Sequence, residues 1–502
     1  MSETNTKQYK RVSEFYDEKT LFITGAAGFL GSVLLEVLLR CLPGIKNIFI
    51  LLRSKKGVLP NERKKLIFQK RVFCKLLEEN PNAPEKVIVV EGDISEPNLG
   101  MSDEDFIKVT NEATIIFHVA ATISFIKPLR YIAVHNCVGV KNVIELGRKM
   151  KNLEALVYTS TAYSNSNRSL IEEIIYRLPW NGERFLKALE SDLNNEFEKL
   201  AADCKPKWPN SYTFSKCLSE NIIADMASDL PVIIIRPSVI ATIWKSPLQG
   251  YVEEGSGVVD LPLGIGKGFI RVLVADMNSR FDLVPVDIVA NVHVAAAWSV
   301  ATERLPSLSI INCTGGPWNV TFELFSKTLK EMAFKQLIPK SFQMPSIVFV
   351  NNAYLYKLLA LYEHYLPAYV FDAILYLKGS KFRLVKLYKF LDGLVDQLIF
   401  FLRNEIDFKQ ENYIALAEQM DPRDKEIFSM YRDDIDIVKM FDEIPNANPY
   451  FDWKVTDKLT PKERRELVIK RTLAAHLVKG VTLILLGYIL YKCLYLIFTL
   501  IF

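Results

Sequence analysis

The chain has 502 residues, half of them hydrophobic and 24% charged. That length predicts two or three domains, and that composition excludes a disordered or low-complexity protein. With 62 basic against 58 acidic residues the net charge is only +4, which gives no footing for nucleic acid as a partner.

Cys41, Cys74, Cys137, Cys204, Cys217, Cys313 and Cys493 are scattered, odd in number and without a C-x-x-C pair. That argues against a disulfide framework or structural zinc and for reduced thiols facing a cytosol. The few histidines form no H-E-x-x-H, so no metal is expected. The polar, charged first 20 residues carry no apolar core of a secretory signal.

The first apolar run, Leu21–Thr24, leads into Gly25-Ala-Ala-Gly28-Phe29-Leu30-Gly31 and then an apolar helical stretch to about Leu42. Glycines at this spacing allow a tight turn, and a pyrophosphate can approach the backbone at the positive end of the helix. Thr24, Gly25, Gly28, Phe29, Leu30 and Gly31 are therefore candidate cofactor contacts. Asn47–Leu52 is a second buried-strand run, and it ends in Arg53-Ser54-Lys55-Lys56 where an acidic residue would select NADH. Arg53, helped by Ser54 and Lys55 or Lys56, can grip a 2′-phosphate, so NADPH is the expected cofactor. A solvated basic loop is the plainer reading.

Further strand runs follow at Val87–Val90, Thr114–Val119, Ala155–Thr159 and Pro231–Ile235. Glu62–Glu79 and Leu129–Met150 are long enough for crossover helices. The alternation predicts an α/β fold, a doubly wound parallel sheet covered on both faces, over residues 18–330. Asp93 and Ile94 after the third run suit the adenine side, and the small Ala120 and Ala121 after the fourth let a cofactor pass. His118 reads as structural.

Tyr212-Thr-Phe-Ser-Lys216 puts a phenol and an ammonium on one helical face, where the cation can lower the phenol's pKa. The spacing alone is cheap, since Tyr450/Lys454 and Tyr488/Lys492 repeat it. What singles out Tyr212 is that it follows the fifth run, which ends in Thr159-Ser160-Thr161. A hydroxyl there, Thr161 or else Ser160, completes a catalytic set of hydroxyl, tyrosine and lysine. Arg236-Pro237 and Pro285-Val-Asp287 look architectural.

From about residue 335 the chain turns to Leu-, Tyr- and Phe-rich helical stretches, at Ile347–Leu366, Ala368–Leu377, Val385–Leu402 and Tyr413–Tyr431. They predict a helical domain over 335–455 whose apolar surfaces are core, a membrane contact or an acyl-chain tunnel. Val481–Phe502 is nearly all apolar and reaches roughly 33 Å as a helix, enough to cross a bilayer. Lys462, Arg464, Arg465, Lys470, Arg471 and Lys479 precede it and would keep the body in the cytosol. Lys492 falls mid-span, so a segment in the interface or a short hairpin is the alternative. The final Leu-Ile-Phe is no peroxisomal address.

The glycine turn resembles that of short-chain and extended short-chain dehydrogenases. TGAAGFLG, FILLRSKKG, VEGDISEPNLG, FHVAATISF, NLEALVYTSTAYSN, NSYTFSK and IIIRPSVI, in this order, resemble the alcohol-forming fatty acyl-CoA reductases, closely over residues 18–300. His364-Tyr-Leu-Pro-Ala and Lys386-Leu-Tyr388 are similar to that family's C-terminal helical domain. The resemblance implies a Rossmann-type catalytic domain in which Pro237 lies near the nicotinamide. It also implies NADPH-dependent reduction of long-chain acyl-CoA, through a hemithioacetal and an aldehyde, to a primary alcohol. The implied site is a membrane, the endoplasmic reticulum first and peroxisomes or lipid droplets as alternatives. Departures lie at Phe125-Ile126-Lys127, in the loop of residues 250–268, and at Ile435-Asp436-Ile437. A membrane-anchored hydroxysteroid or sugar-nucleotide dehydrogenase and a catalytically idle scaffold are the competing readings. Acyl length and oligomeric state are not legible.

Overall fold

The structure is a computed structural model that describes residues 11–124, 127–191, 195–204, 207–253, 263–316, 320–335, 337, 341–432, 435–448 and 459–501. Phe125 and Ile126, residues 254–262 of the expected substrate loop, Tyr450 with Lys454, and Phe502 lie outside the described residues.

Two compact units share the chain. The first comprises Met1–Glu253, Asp282–Asn319 and Glu405–Ala447. Its sheet is built from β1 (Thr20–Thr24), β2 (Asn47–Leu52), β3 (Val87–Glu91), β4 (Ile115–His118), β5 (Ala155–Thr159), β6 (Val232–Pro237) and β7 (Ser309–Cys313). All seven run parallel in the order β7-β6-β5-β4-β1-β2-β3. β1 is buried along its whole length, as a central strand covered by helices on both faces must be. The helices that position the site are α1 (Phe29–Cys41), α2 (Pro60–Phe68), α3 (Gly139–Lys149), α4 (Ser211–Met226) and α5 (Val286–Ala301). The strand order reverses between β1 and β4, and ligands of open α/β sheets bind at such a switch point, beyond the carboxyl ends of the strands.

The second unit comprises Glu254–Phe281, Val320–Asn404 and Asn448–Phe502. Its main helices are α6 (Ala353–Ala360), α7 (Leu366–Leu377), α8 (Leu384–Arg403) and α9 (Pro461–Ile501). The Asp372 carboxylate accepts from the Leu384 and Val385 amides and so caps α8. His364 accepts from the Arg271 amide at 3.0 Å and stacks on Tyr388, while burial holds its imidazole down at about 4.

Several expectations need correction. The boundaries at 330 and 335–455 do not match the units, because Glu405–Ala447 packs with the sheet while residues 263–281 and 320–335 belong with α6–α9. The helix expected over Ile347–Leu366 begins late, since Val348–Val350 is a strand paired with Val272–Val274. Two β-branched valines flanking Phe349 favour that pairing. The stretch Glu62–Glu79 breaks after Phe68 into a 3-10 turn, and Tyr413–Tyr431 breaks at Asp421-Pro422. Helix α9 is twice as long as expected, with 41 residues. It is continuous from Pro461, which leaves no hairpin, and by length and composition it suffices to cross a membrane. Within it the Lys492 ammonium lies 5.7 Å from the Tyr488 ring centre, one turn back.

Candidate active site

The turn between β1 and α1 is packed backbone against backbone. Gly25 has φ +81°, and a Cβ there would fall 2.6 Å from the Ala120 amide nitrogen. A Cβ on Gly31 would fall 2.1 Å from the Gly25 carbonyl oxygen. Gly28 differs, since its Cβ would meet only that oxygen, at 3.4 Å, and otherwise project into open space before α1. Gly28 is the N-cap of α1 and supplies no side-chain cap, so the first amides of the helix face that space with Phe29 and Leu30. An anion held by those amides fits this cradle.

The carboxyl end of β4 braces the turn. Thr24 is buried, and its hydroxyl meets His118 Nδ1 at 2.7 Å and accepts from the Ala120 amide at 3.2 Å. Thr24 thus shapes the turn from inside instead of facing a ligand. Burial, with Lys216 nearby, holds His118 down at about 3, so its imidazole is neutral. Ala120 and Ala121 are half-buried, and the Ala120 backbone lies against Gly25.

At the ends of β2 and β3, Arg53 and Asp93 meet in an ion pair at 2.7 Å. Burial would raise the Asp93 carboxyl, but the Ser95 amide and hydroxyl and the Arg53 guanidinium hold it below its ordinary value. Ser54 donates to Glu91 at 3.1 Å, and Lys55 is exposed. Ile94 packs against Gly139 at the start of α3. Arg63 on α2 went unnoticed in the sequence. It donates to the Arg53 carbonyl at 2.6 Å and brings a second guanidinium to the end of β2. Its position in the first turn of a helix opened by Pro60 was a usable signal.

Tyr212 stands in the first turn of α4, behind Asn210, whose side chain accepts from the Thr213 amide at 2.9 Å. Burial raises the Tyr212 phenol, and a hydrogen bond with Thr161 opposes that rise. Thr161 is buried at the carboxyl end of β5 and reaches the Pro237 carbonyl at 3.4 Å. A phenol and an alcohol side by side can both donate to one carbonyl oxygen.

Two expected members of this group are oriented differently. Ser160 is taken up further along α4, where it donates to Glu220, two turns on from Tyr212, within a buried ion pair between Glu220 and Arg236. Lys216 shares the face of Tyr212, but its ammonium is spent on the Tyr158 hydroxyl at 3.2 Å and the Thr159 carbonyl at 2.6 Å. A buried ammonium needs acceptors, and those are the ones it meets. Burial lowers Lys216 to about 7, with Glu220 and Cys137 opposing. Asn136, also unremarked in the sequence, sits in a π-turn at Val134–Val138 and donates to Ser215 at 3.0 Å. Asp287 accepts from the Trp244 and Lys245 amides and is architectural.

A family model for NAD-binding domains, described as "Male sterility protein", matches residues 23–293, and a second with the same description matches residues 363–446. The chain is 35% identical to fatty acyl-CoA reductase 1 of Xenopus laevis, over 83% of this chain and 81% of that one. It is 34% identical to the human fatty acyl-CoA reductase 1, over 84% and 82%, and 32% identical to the Drosophila melanogaster fatty acyl-CoA reductase wat, over 87% and 85%. Among solved structures, the terminal R domain of a myxalamid PKS-NRPS pathway superposes with TM-score 0.56 at 18% identity, covering 87% of this chain and 92% of that one. The reductase domain of a non-ribosomal peptide synthetase from Mycobacterium tuberculosis gives 0.56 at 16%, covering 89% and 96%. These two share the fold. The NAD-binding model spans the glycine turn, which fits a nicotinamide dinucleotide as its cofactor.

Proposed function

The chain belongs to the alcohol-forming fatty acyl-CoA reductase family, and from that premise we propose that it reduces long-chain acyl-CoA to a primary alcohol with NADPH. It is an oxidoreductase. The observation that carries the proposal is Tyr212 paired with Thr161 at the carboxyl end of β5, in the same sheet whose β1 opens into the uncapped α1.

When bound, the dinucleotide supplies hydride. Tyr212 and Thr161 donate to the thioester carbonyl oxygen, and Tyr212 passes its proton to that oxygen as charge builds on it. Lys216 keeps a positive charge beside Tyr158 and Thr159 and thereby favours the phenolate that remains. The hemithioacetal then expels coenzyme A as its thiol and leaves the aldehyde. A second round at the same pair of hydroxyls yields the alcohol. Two hydrides and two protons are consumed per alcohol and thiol formed. Arg53, half exposed and using only one guanidinium nitrogen on Asp93, supports the choice of NADPH, with Arg63 beside it. The apolar α9 supports a membrane location, with the endoplasmic reticulum as our first assignment.

The test is NADPH oxidation by detergent-solubilised full-length protein against acyl-CoAs of graded length, with gas chromatography of the product. Tyr212→Phe should lower turnover by about 10²–10⁴-fold. Fatty alcohol from the wild type and a near-silent variant would support the proposal. NADPH binding without acyl-CoA turnover at any length would sink it and favour a dehydrogenase of sterols or sugar nucleotides.

A further inference from the structure

Helix α9 has two halves. In the first, Arg464, Val468, Ala475 and Lys479 are buried at helical spacing. Arg464 donates to the Leu337 carbonyl, Arg471 to the Ser341 carbonyl, and the Thr472 hydroxyl accepts from the Met344 amide. Further along, the Lys479 ammonium meets Glu363 at 2.5 Å, and Glu363 also takes Arg271 at 2.6 Å. Beyond Gly480 the side chains of Val481, Ile484, Leu485, Tyr488, Ile489 and Leu494 are exposed. The helix therefore leaves the body of its unit at Lys479.

That exit has a place in the fold. Glu363 lies in the π-turn Leu361–Tyr365 that joins α6 to α7, and α7 packs against α9. The same two helices carry large exposed apolar side chains. Tyr354 is 85% and Leu358 65% exposed on α6, and Tyr376 is 71% and Leu377 84% exposed on α7. Large apolar side chains exposed in this number mark a surface made for something other than water. Charge indicates what covers it. Lys357, Lys378, Lys381, Lys386 and Lys389 are exposed around these residues, while the two acids of the stretch, Glu363 and Asp372, are turned to the Lys479–Arg271 pair and the α8 cap.

We propose that α6 and α7 form a platform that dips into the headgroup and acyl boundary of an anionic bilayer where α9 enters it. Apolar faces rimmed with lysines bind such interfaces at a depth of roughly 5–10 Å. The proposal rests on α9 entering a bilayer. The buried Lys479–Glu363–Arg271 cluster then sets the depth of the second unit, because the exit of α9 and the platform are fixed to each other through it.

The test uses full-length protein in anionic vesicles, with the two exposed cysteines removed as Cys74→Ser and Cys493→Ser. Nitroxide labels go on Leu358→Cys and Leu377→Cys, with Leu494→Cys as the lipid reference and Glu104→Cys as the water reference. Collision with oxygen relative to a water-soluble nickel chelate reads the surroundings. Ratios at 358 and 377 several-fold above that at 104, and approaching that at 494, are expected. A lipid-like label at 494 with water-like labels at 358 and 377 overturns the platform alone. Labels at 358 and 377 shielded from both reagents would assign the face to a second copy of the chain and overturn it too. A water-like label at 494 would overturn the membrane reading of α9 and the platform with it.

Discussion

At the scale of single residues, Lys216 makes the sharpest claim. Burial brings its ammonium down to about 7, so it loses its proton near neutrality. Below that pH the charge that favours a Tyr212 phenolate is present, and above it the charge is gone. We predict that kcat/KM in the wild type falls as pH rises through about 7. Lys216→Met should lose that limb together with most of the activity, and Lys216→Arg should keep some activity with the limb moved upward. A profile that stays flat through this range would assign Lys216 to packing against Tyr158. Arg53 can be read in the same way. Arg53→Ala should raise KM for NADPH roughly tenfold or more and leave KM for NADH nearly unchanged, since NADH carries no 2′-phosphate for the guanidinium to hold. The residue types of both groups were legible in the sequence because spacing carried them. Their partners were not. Thr159, Ser160 and Thr161 are three hydroxyls in a row, of which Thr159 meets His293 on α5 while the other two meet α4 at positions two turns apart. Only the structure separates Ser160, turned to Glu220, from Thr161, turned to Tyr212.

At the scale of elements, the turn before α1 offers a paired test of shape against binding. Gly31→Ala would place a carbon 2.1 Å from the Gly25 carbonyl oxygen, and both partners are backbone. The turn must open, which should cost about 1–3 kcal/mol, read as a lower Tm, and weaken dinucleotide binding with it. Gly28→Ala meets only one atom at 3.4 Å, so it should fold with an unchanged Tm. Its methyl would instead stand where a pyrophosphate approaches, and NADPH affinity should fall at least tenfold in a fluorescence titration. Equal Tm losses in the two variants would contradict the cradle geometry. Six strands of the sheet were legible because a strand buried on both faces reads as an unbroken apolar run. The strand Val348–Val350 was not, since a three-residue run beside apolar helices has no period of its own. The π-turn at Val134–Val138 leaves no trace in hydrophobic spacing, although it is what seats Asn136 against Ser215.

At the scale of the whole molecule, the main surprise is a chain that leaves its first unit and comes back. Hydrophobic pattern reports what a segment is, and it is silent on which distant sheet the segment covers. Glu405–Ala447 reads as more of the same helical domain, yet it packs with β7. One carboxylate joins the returning segment to the sheet. Glu173 accepts from the Asn312 amide of β7 at 2.8 Å and from the Asn412 amide at 2.5 Å. Burial raises Glu173 to about 7, although the Asn312, Asn412 and Tyr413 amides oppose the rise. The unfolded chain titrates near the ordinary glutamate value of about 4.3. Between those values the folded state holds a proton that the unfolded state has released, so the stability contributed by this group falls as pH rises through that window. The loss should be on the order of 2 kcal/mol between about pH 5 and pH 8. Glu173→Gln removes the titration, and its amide can accept from only one of the two backbone donors. The variant should be the less stable protein near pH 5, and the gap to wild type should narrow as pH climbs toward 8. Urea melts of both proteins across that range measure it. A constant gap would mean that Glu173 keeps one protonation state throughout, and would overturn the raised carboxyl at this joint.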